Sequence, residues 1–243
     1  PFDRLRLIGD VRRLYRTLKP DLVHHVALEP SVIGSLAALG LPVRTLNAMA
    51  GLGFVFTSRT PKALLTGFVV RGLLRFLLTR SDAAVLVQNE DDRTAISALG
   101  VGADRVFFIP GSGVDADRLT PMPEPQGDVT AGFVGRLLDD KGVRTLVAAH
   151  EILAGQGRPV RLLLAGEPDP ANPASIPPDE IASWKQRDGI EVLGHVSDIR
   201  TVWAAAHIAV LPSRREGLPK SLLEAAACGR AIVATDVPGC RVI

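Results

Sequence analysis

Short apolar runs alternate with amphipathic stretches along almost the whole chain, and this rhythm limits the fold more than any single motif. Runs at 21–27, 43–48, 83–89 and 105–109 have the length and aliphatic content of buried strands. The stretches at 4–19, 31–39, 61–80 and 90–99 carry a helical period. After residue 128 the pattern resumes, with strands expected at 130–134, 160–165, 191–193, 208–211 and 231–235. Helices are expected there near 142–154, 178–187, 197–206 and 219–228. Strands with no polar face, separated by helices, belong to parallel sheets covered on both sides. The expected fold class is therefore α/β, with two doubly wound, Rossmann-like domains.

The two halves are separated by residues 120–127 (TPMPEPQG), where three prolines and one glycine fall within eight residues. That composition resists helix and stiffens the chain, so it reads as a linker between domains at 1–119 and 128–243. Open parallel sheets take ligands outside the carboxyl ends of their strands, so both domains are expected to face a common cleft.

Composition removes several classes. With 47% hydrophobic and 22% charged residues in 243, the chain has the material for a core and none of the bias of a disordered segment. One tyrosine, two tryptophans and a net charge of +2 argue against nucleic-acid binding. The charge is uneven, +4 over residues 1–120 and −2 over the rest, so the basic half suits an anionic surface. Cys228 and Cys240 lie among no matching Cys/His cluster of a zinc site, and a reduced, cytoplasmic compartment is expected. No apolar run approaches the roughly 20 residues needed to span a bilayer.

Residues 211–230 (LPSRREGLPKSLLEAAACGR) are the most informative. A strand ends at Leu211, a loop follows, and Pro219 suits the first position of a helix. Leu222, Leu223 and Ala226 form its inner face, and Gly229 stands where a left-handed cap is expected. Gly217 permits close backbone approach, and the amides of Leu218, Lys220 and Ser221 at the helix start form an anion site. The helix dipole supplies only about 0.3–1 kcal/mol, so a diphosphate there needs cationic side chains. Glu216 and Glu224, with seven residues between them, suit sugar and ribose hydroxyls; taken alone, the spacing is equally that of a capping residue and a solvated one. Residues 133–143 (FVGRLLDDKGV) add Arg136 and Lys141 after a strand, two cations able to neutralise a diphosphate. The alternative is that they pair with Asp139 and Asp140 on the surface. These adjacent carboxylates lack the spacing of a metal clamp, and no metal site is expected.

The Glu216-x7-Glu224 arrangement within REGLPKSLLEAAACGRAIVATDVPGCR resembles the retaining glycosyltransferases of family 4, which have the GT-B fold. GRLLDDKG (135–142), LLLAGEPDPANP (162–173) and LGHVSDI (193–199) continue the resemblance. So do KPDLVHHVALEP (19–30), AGLGFVF (50–56), QNEDD (88–92) and IPGSGVD (109–115), which are similar to bacterial members acting on polyprenyl-diphosphate-linked saccharides. The resemblance implies transfer of a hexosyl or N-acetylhexosaminyl group from a UDP-sugar to such an acceptor, without cofactor or metal. It assigns Arg136 and Lys141 to the donor diphosphate, Glu224 to the ribose and Glu216 to the transferred sugar beside Gly217, Leu218, Pro219 and Ser221. Gly194, His195 and Val196 are assigned to the loop around the base.

On the acceptor side the resemblance is incomplete. Relatives carry a histidine near the transferred sugar where this chain has Asn47 within residues 45–53, so Asn47, Gly51 and Gly53 are expected to replace part of that contact. His25 lies in an apolar strand, either packed in the core or turned to the cleft. Residues 62–80 and the arginine-rich 4–19 read as core-packed helices or as helices lying on the inner face of the plasma membrane. The chain starts at Pro1 and stops at Ile243, so both domains are expected to be incomplete and the isolated chain weakly active.

Rival readings are a nicotinamide dehydrogenase, a GT-B sugar-nucleotide epimerase and a non-catalytic membrane- or partner-binding module. The first needs G-x-G-x-x-G. Gly51-Leu52-Gly53 meets Phe56 in place of the third glycine, and Gly111-Ser112-Gly113 runs into Val114 and Asp115. Transfer and epimerisation differ in their products, and the set Arg136, Lys141, Glu216 and Glu224 argues against the module.

Overall fold

The computed structural model of the chain describes residues 2–49 and 61–243. The chain divides into two compact units, residues 1–112 and 113–243.

In the first unit, helix α1 (Phe2–Leu18) precedes β1 (Leu22–Val26), α2 (Leu28–Ala38), β2 (Arg44–Met49), α3 (Pro61–Leu78), β3 (Ala83–Val87), α4 (Glu90–Ala98) and β4 (Val106–Phe108). The four strands are parallel and lie in chain order, β1-β2-β3-β4. Met49, Leu74, Leu78, Val85, Val87, Ile96 and Val106 form the core. Helix α4 starts at Asn89, whose side-chain oxygen accepts the Asp92 amide at 2.8 Å, a polar cap that fixes where the helix begins.

The second unit holds β5 (Thr130–Val134), α5 (Val143–Gly155), β6 (Arg161–Ala165), α6 (Pro178–Lys185), β7 (Ile190–Gly194), α7 (Arg200–Ala205), β8 (Ile208–Leu211), α8 (Lys220–Ala227) and β9 (Ala231–Ala234). Its strands are all parallel in the order β7-β6-β5-β8-β9. Strand order reverses around β5, so crossovers leave the sheet in opposite directions there and open a crevice above the carboxyl ends. The core beneath contains Phe133, Leu164, Ile176, Trp184 and Trp203. Gly132 makes room for α7: a Cβ on it would lie 3.0 Å from Ala206 and 3.2 Å from the Trp203 ring.

Every expected strand and helix is present within a few residues of its expected bounds. Three expectations shift, the first being the inner face of α8, which is Leu222 and Ala225, with Leu223 half-buried and Ala226 exposed. Pro219 is the N-cap of α8, with extended ψ of 107°, rather than its first helical residue. Residues 120–127 do not hang free between domains, because the division lies earlier, between Ser112 and Gly113. Leu119 is in the second core, and the Met122 amide donates to Cys228 O at 3.1 Å.

Arg230 is what ties that proline-rich segment down. Only 5% exposed, it donates to Cys228 O, Ala206 O and Pro123 O at 3.1, 3.3 and 3.0 Å, and also to Met122 O. It emerges directly from the end of α8, where Gly229 (φ 73°) donates to Ala226 O and the Arg230 amide to Ala225 O, both at 2.9 Å. These are the paired bonds of a Schellman turn, and the glycine expected at this cap is in place. Both tryptophans lie in this unit, so their fluorescence reports on it alone. Arg230→Ala strands several buried carbonyls and is expected to lower the stability of this unit by about 2–4 kcal/mol, read as a fall in the urea midpoint of tryptophan fluorescence.

Candidate donor-binding site

The carboxyl ends of β5, β6, β7 and β8 bring most of the expected site residues to one edge of the second sheet. Gly135 and Arg136 follow β5, Glu167 to Asp169 follow β6, His195 and Val196 follow β7, and Ser213 to Gly217 follow β8. A cleft of about 430 Å³ is lined by Gly135, Arg136, Gly166, Asp169, His195 and Val196, among others.

Glycines allow this convergence. A Cβ on Gly166 (φ 143°) would sit 1.8 Å from Gly135 O, so the two strand ends approach closer than any side chain permits. The Gly166 amide donates to Gly194 O at 2.7 Å and links the third loop to the same edge. A register shift between β6 and β7 at Leu164/Ala165 turns Gly194 into place opposite Ala165.

Arg136 and Lys141 are both paired, though not with the adjacent aspartates. Arg136 Nη1 donates to Asp169 Oδ2 at 2.6 Å. Lys141 Nζ donates to both oxygens of Glu216, at 2.6 and 2.9 Å. Asp139 instead receives Arg144 and Arg214, each at 3.1 Å, and Asp140 receives Arg215 at 3.2 Å. Those pairs fasten the turn carrying Lys141 to the loop carrying Glu216. Ser213 reinforces the joint by donating to Asp140 O at 3.1 Å, and Arg214 N adds a backbone bond to the same oxygen at 2.9 Å. Gly142 (φ 74°) packs its Cα against Pro212 O, where a Cβ would lie 2.0 Å away.

Glu216 has an 8% exposed side chain, held against Lys141. Behind it, a Cβ on Gly239 would meet Glu216 O and Gly217 O at 2.5 and 2.6 Å. Cys240 follows immediately; burial and the nearby Glu216 charge push its thiol up to about 11. Both cysteines are free and buried. At the start of α8 the Lys220 and Ser221 amides have no protein acceptor among the described residues, leaving a pair of unused donors beside Gly217, Leu218 and Pro219. Among the described residues no group of three His, Cys, Asp or Glu side chains is arranged to hold a metal.

Asp169, Gly166 and Gly239 were not singled out by the sequence reading. Gly166 and Asp169 lie within LLLAGEPDPANP (162–173), and Gly239 lies in the VPGCR that closes the Glu216–Glu224 stretch, so the motifs contained all three without assigning them a role.

The acceptor-side expectation for Asn47 needs correction, and His25 takes the packed one of its two alternatives. Asn47 is fully enclosed, and its Oδ1 accepts from His25 Nδ1 at 2.9 Å and from Ser35 Oγ at 3.0 Å. Its Nδ2 points to Thr45 Oγ1 at 3.3 Å and Ala84 O at 3.4 Å. His25 Nε2 meets the Tyr15 hydroxyl at 2.9 Å, and its ring fills the space that a Cβ on Gly34 would take. Burial pushes His25 below the ordinary imidazole range, with the Asn47 bond opposing and His24 reinforcing the shift. Both residues are spent on an internal network, because β2 is a central strand and a polar group there must be satisfied within the fold. Gly51 and Gly53 lie outside the described residues.

Glu224 projects from the second turn of α8 toward Lys220, 3.6 Å away. Burial raises its carboxyl above the usual range, against the pull of Lys220. The native state then holds its proton to higher pH than the unfolded chain, so stability falls as pH rises from about 4.5 through the native value. Glu224→Gln is expected to flatten that part of the urea-midpoint profile and to be the more stable protein at neutral pH, as read by tryptophan fluorescence.

Comparison with known proteins gives the family and the fold. The family described as "Glycosyl transferases group 1" matches residues 128–243, and "Glycosyl transferase 4-like" matches residues 1–89. An N,N'-diacetylbacillosaminyl-diphospho-undecaprenol alpha-1,3-N-acetylgalactosaminyltransferase of Campylobacter jejuni is 26% identical over 99% of this chain and 65% of its own length. A UDP-Gal:alpha-D-GlcNAc-diphosphoundecaprenol alpha-1,3-galactosyltransferase of Escherichia coli is 27% identical over 97% of this chain and 64% of its own. The chain thus spans about two thirds of the length of these relatives. Among solved structures, sucrose-phosphate synthase of Thermosynechococcus elongatus superposes with a TM-score of 0.77 at 22% identity, covering 97% of this chain and 61% of its own. Anabaena HepE in complex with UDP-glucose gives 0.71 at 19% identity, covering 100% and 66%. With two family descriptions spanning most of its length and two parallel sheets of the matching architecture, the chain belongs to the group 1, family 4-like glycosyltransferases and has the GT-B fold.

Proposed function

We propose that the second unit binds the diphosphate of a UDP-sugar and that the protein transfers its hexosyl or N-acetylhexosaminyl group, with retention, to a polyprenyl-diphosphate-linked saccharide. The observation that carries this reading is that Arg136, the Lys141–Glu216 pair and the open start of α8 all lie along the edge formed by the carboxyl ends of β5 and β8. The relatives named for transfer to diphospho-undecaprenol sugars support the acceptor class. HepE, whose complex holds UDP-glucose, supports the donor class.

Breaking the anomeric C–O bond places negative charge on the departing diphosphate and positive character on the sugar. Arg136, the third N–H of Lys141 and the amides of Lys220 and Ser221 oppose the first charge. Fixed donors need no reorganisation as that charge develops, which makes them effective. In this reading no metal is needed to neutralise the diphosphate. Glu216 stands where an orienting carboxylate can accept a sugar hydroxyl, and its charge favours the cationic sugar. Glu224 accepts the ribose hydroxyls, and the 194–196 loop flanks the base. The departing phosphate takes the proton of the acceptor hydroxyl, which attacks from the same face.

Calorimetric titration tests the donor assignment. UDP is expected to bind, to do so equally in EDTA, and to bind at least about tenfold more weakly to Glu224→Ala. Preference for NAD, or strict metal dependence, overturns it.

The reading includes attachment to the cytoplasmic face of the membrane. No helix among the described residues is long and apolar enough to cross one. Helix α3 instead buries Leu74, Leu77 and Leu78 while Phe68, at 77% exposure, Val69 and Phe76 face outward beside Arg75. Arg75 also anchors the helix by donating to Leu99 O at 2.9 Å. Helix α1 likewise exposes Leu7, Leu14 and Leu18 among Arg6, Arg13 and Arg16. Aromatic and basic groups on one outer face match an anionic lipid surface. The chain is expected to float with phosphatidylglycerol vesicles, and Phe68→Ser with Phe76→Ser to remain in the dense fraction; failure of the unsubstituted chain to float removes the membrane assignment.

A further inference from the structure

We infer that Asp169 is a positioning residue that holds the Arg136 guanidinium ready for the donor diphosphate, an inference that rests on the donor reading above. Arg136 offers Asp169 a single nitrogen, Nη1, at 2.6 Å. No partner for its Nη2 or Nε is found among the described residues, so these N–H groups remain for phosphate oxygens. A fork held by one tine keeps its direction and most of its donors.

Asp169 is itself fixed. Its Oδ1 accepts the Ala171 amide at 3.3 Å, its carbonyl accepts Asn172 N at 2.8 Å, and its own amide donates to Ser175 Oγ at 2.9 Å. The loop bearing it is laced to the segment bearing Arg136. Leu137 N donates to Glu167 O at 2.9 Å, Asp139 N to Ala174 O at 2.8 Å and Ile176 N to Leu137 O at 2.9 Å. Leu138 and Ser175 form an antiparallel bridge between the same segments. Carboxylate and guanidinium therefore stand on one rigid double loop, and both line the cleft with His195 and Val196.

The ion pair has no role in the fold's interior to explain it. The Arg136 side chain is largely exposed, and exposed pairs contribute little to stability. A carboxylate next to a phosphate site opposes the ligand's charge, and this one is tolerable because both its oxygens are engaged by protein donors. What it supplies is a guanidinium whose rotamers are already restricted when the donor arrives.

Binding of UDP by calorimetry and of uridine by saturation-transfer NMR distinguishes positioning from general structure, since uridine lacks the phosphates. Asp169→Ala is expected to weaken UDP threefold to tenfold and leave uridine unchanged. Asp169→Asn, whose amide oxygen still accepts the Arg136 N–H, is expected to restore most of the loss. In an Arg136→Ala background, Asp169→Ala is expected to have no further effect on UDP. Equal weakening of UDP and uridine, unchanged or tighter UDP binding in Asp169→Ala, or a loss that persists without Arg136 each overturns the inference while the donor reading stands. Absence of UDP binding by the unsubstituted chain removes the donor reading and the inference with it.

Discussion

All five strands of the second sheet point the same way and their order reverses around β5, and everything at the site follows from that constraint. A parallel sheet sends each strand's carboxyl end to one edge, so four loops widely separated in sequence emerge side by side. The reversal keeps their following helices from crowding the same space. The first sheet, with its described strands in simple chain order, has no such point. Its central strand is filled with an internal polar network where the second sheet has an open crevice.

Charge at that crevice is balanced before any ligand arrives. Lys141 faces Glu216, Arg136 faces Asp169, and the neighbouring aspartates are occupied by Arg144, Arg214 and Arg215. Compensation places a cation against the largely buried Glu216 carboxylate, so the fold does not bear the cost of a lone charge there. It also holds the cations in place instead of leaving them to sample solvent. In the proposed reading a diphosphate takes up the N–H groups that these carboxylates leave free, on cations already oriented by the pairing.

The fold was legible because its signals are local. The apolar runs of β5 and β6 and the glycine cap at 229 each declare themselves within a few residues. The carboxyl edge of the second sheet was legible for a related reason: Arg136, Lys141 and Glu216 lie in the loops just after strands β5 and β8, and Glu224 lies in the helix that follows β8. What escaped depends on contacts between distant residues. Whether Lys141 meets Asp139 or Glu216 is decided by how the loop after β8 folds back. The burial of Asn47 depends on β1 and β3 closing over both edges of β2. The proline-rich segment reads as a stiff linker between domains, and its attachment to the second unit rests on Arg230, more than a hundred residues on, which holds its carbonyls.

The network in the first unit runs in one direction. Asn47 Oδ1 can only accept, so His25 carries its proton on Nδ1 and presents a bare Nε2 to the Tyr15 hydroxyl, while Ser35 donates to the same Asn47 oxygen. The roles are thus interlocked across a helix, two strands and a second helix. A change at any one position reverses or deletes a donor that the others require. Positions 15, 25, 35 and 47 therefore form a single unit of variation: an engineered or natural replacement of the imidazole has to bring its neighbours with it, most simply by turning the whole chain of contacts apolar at once.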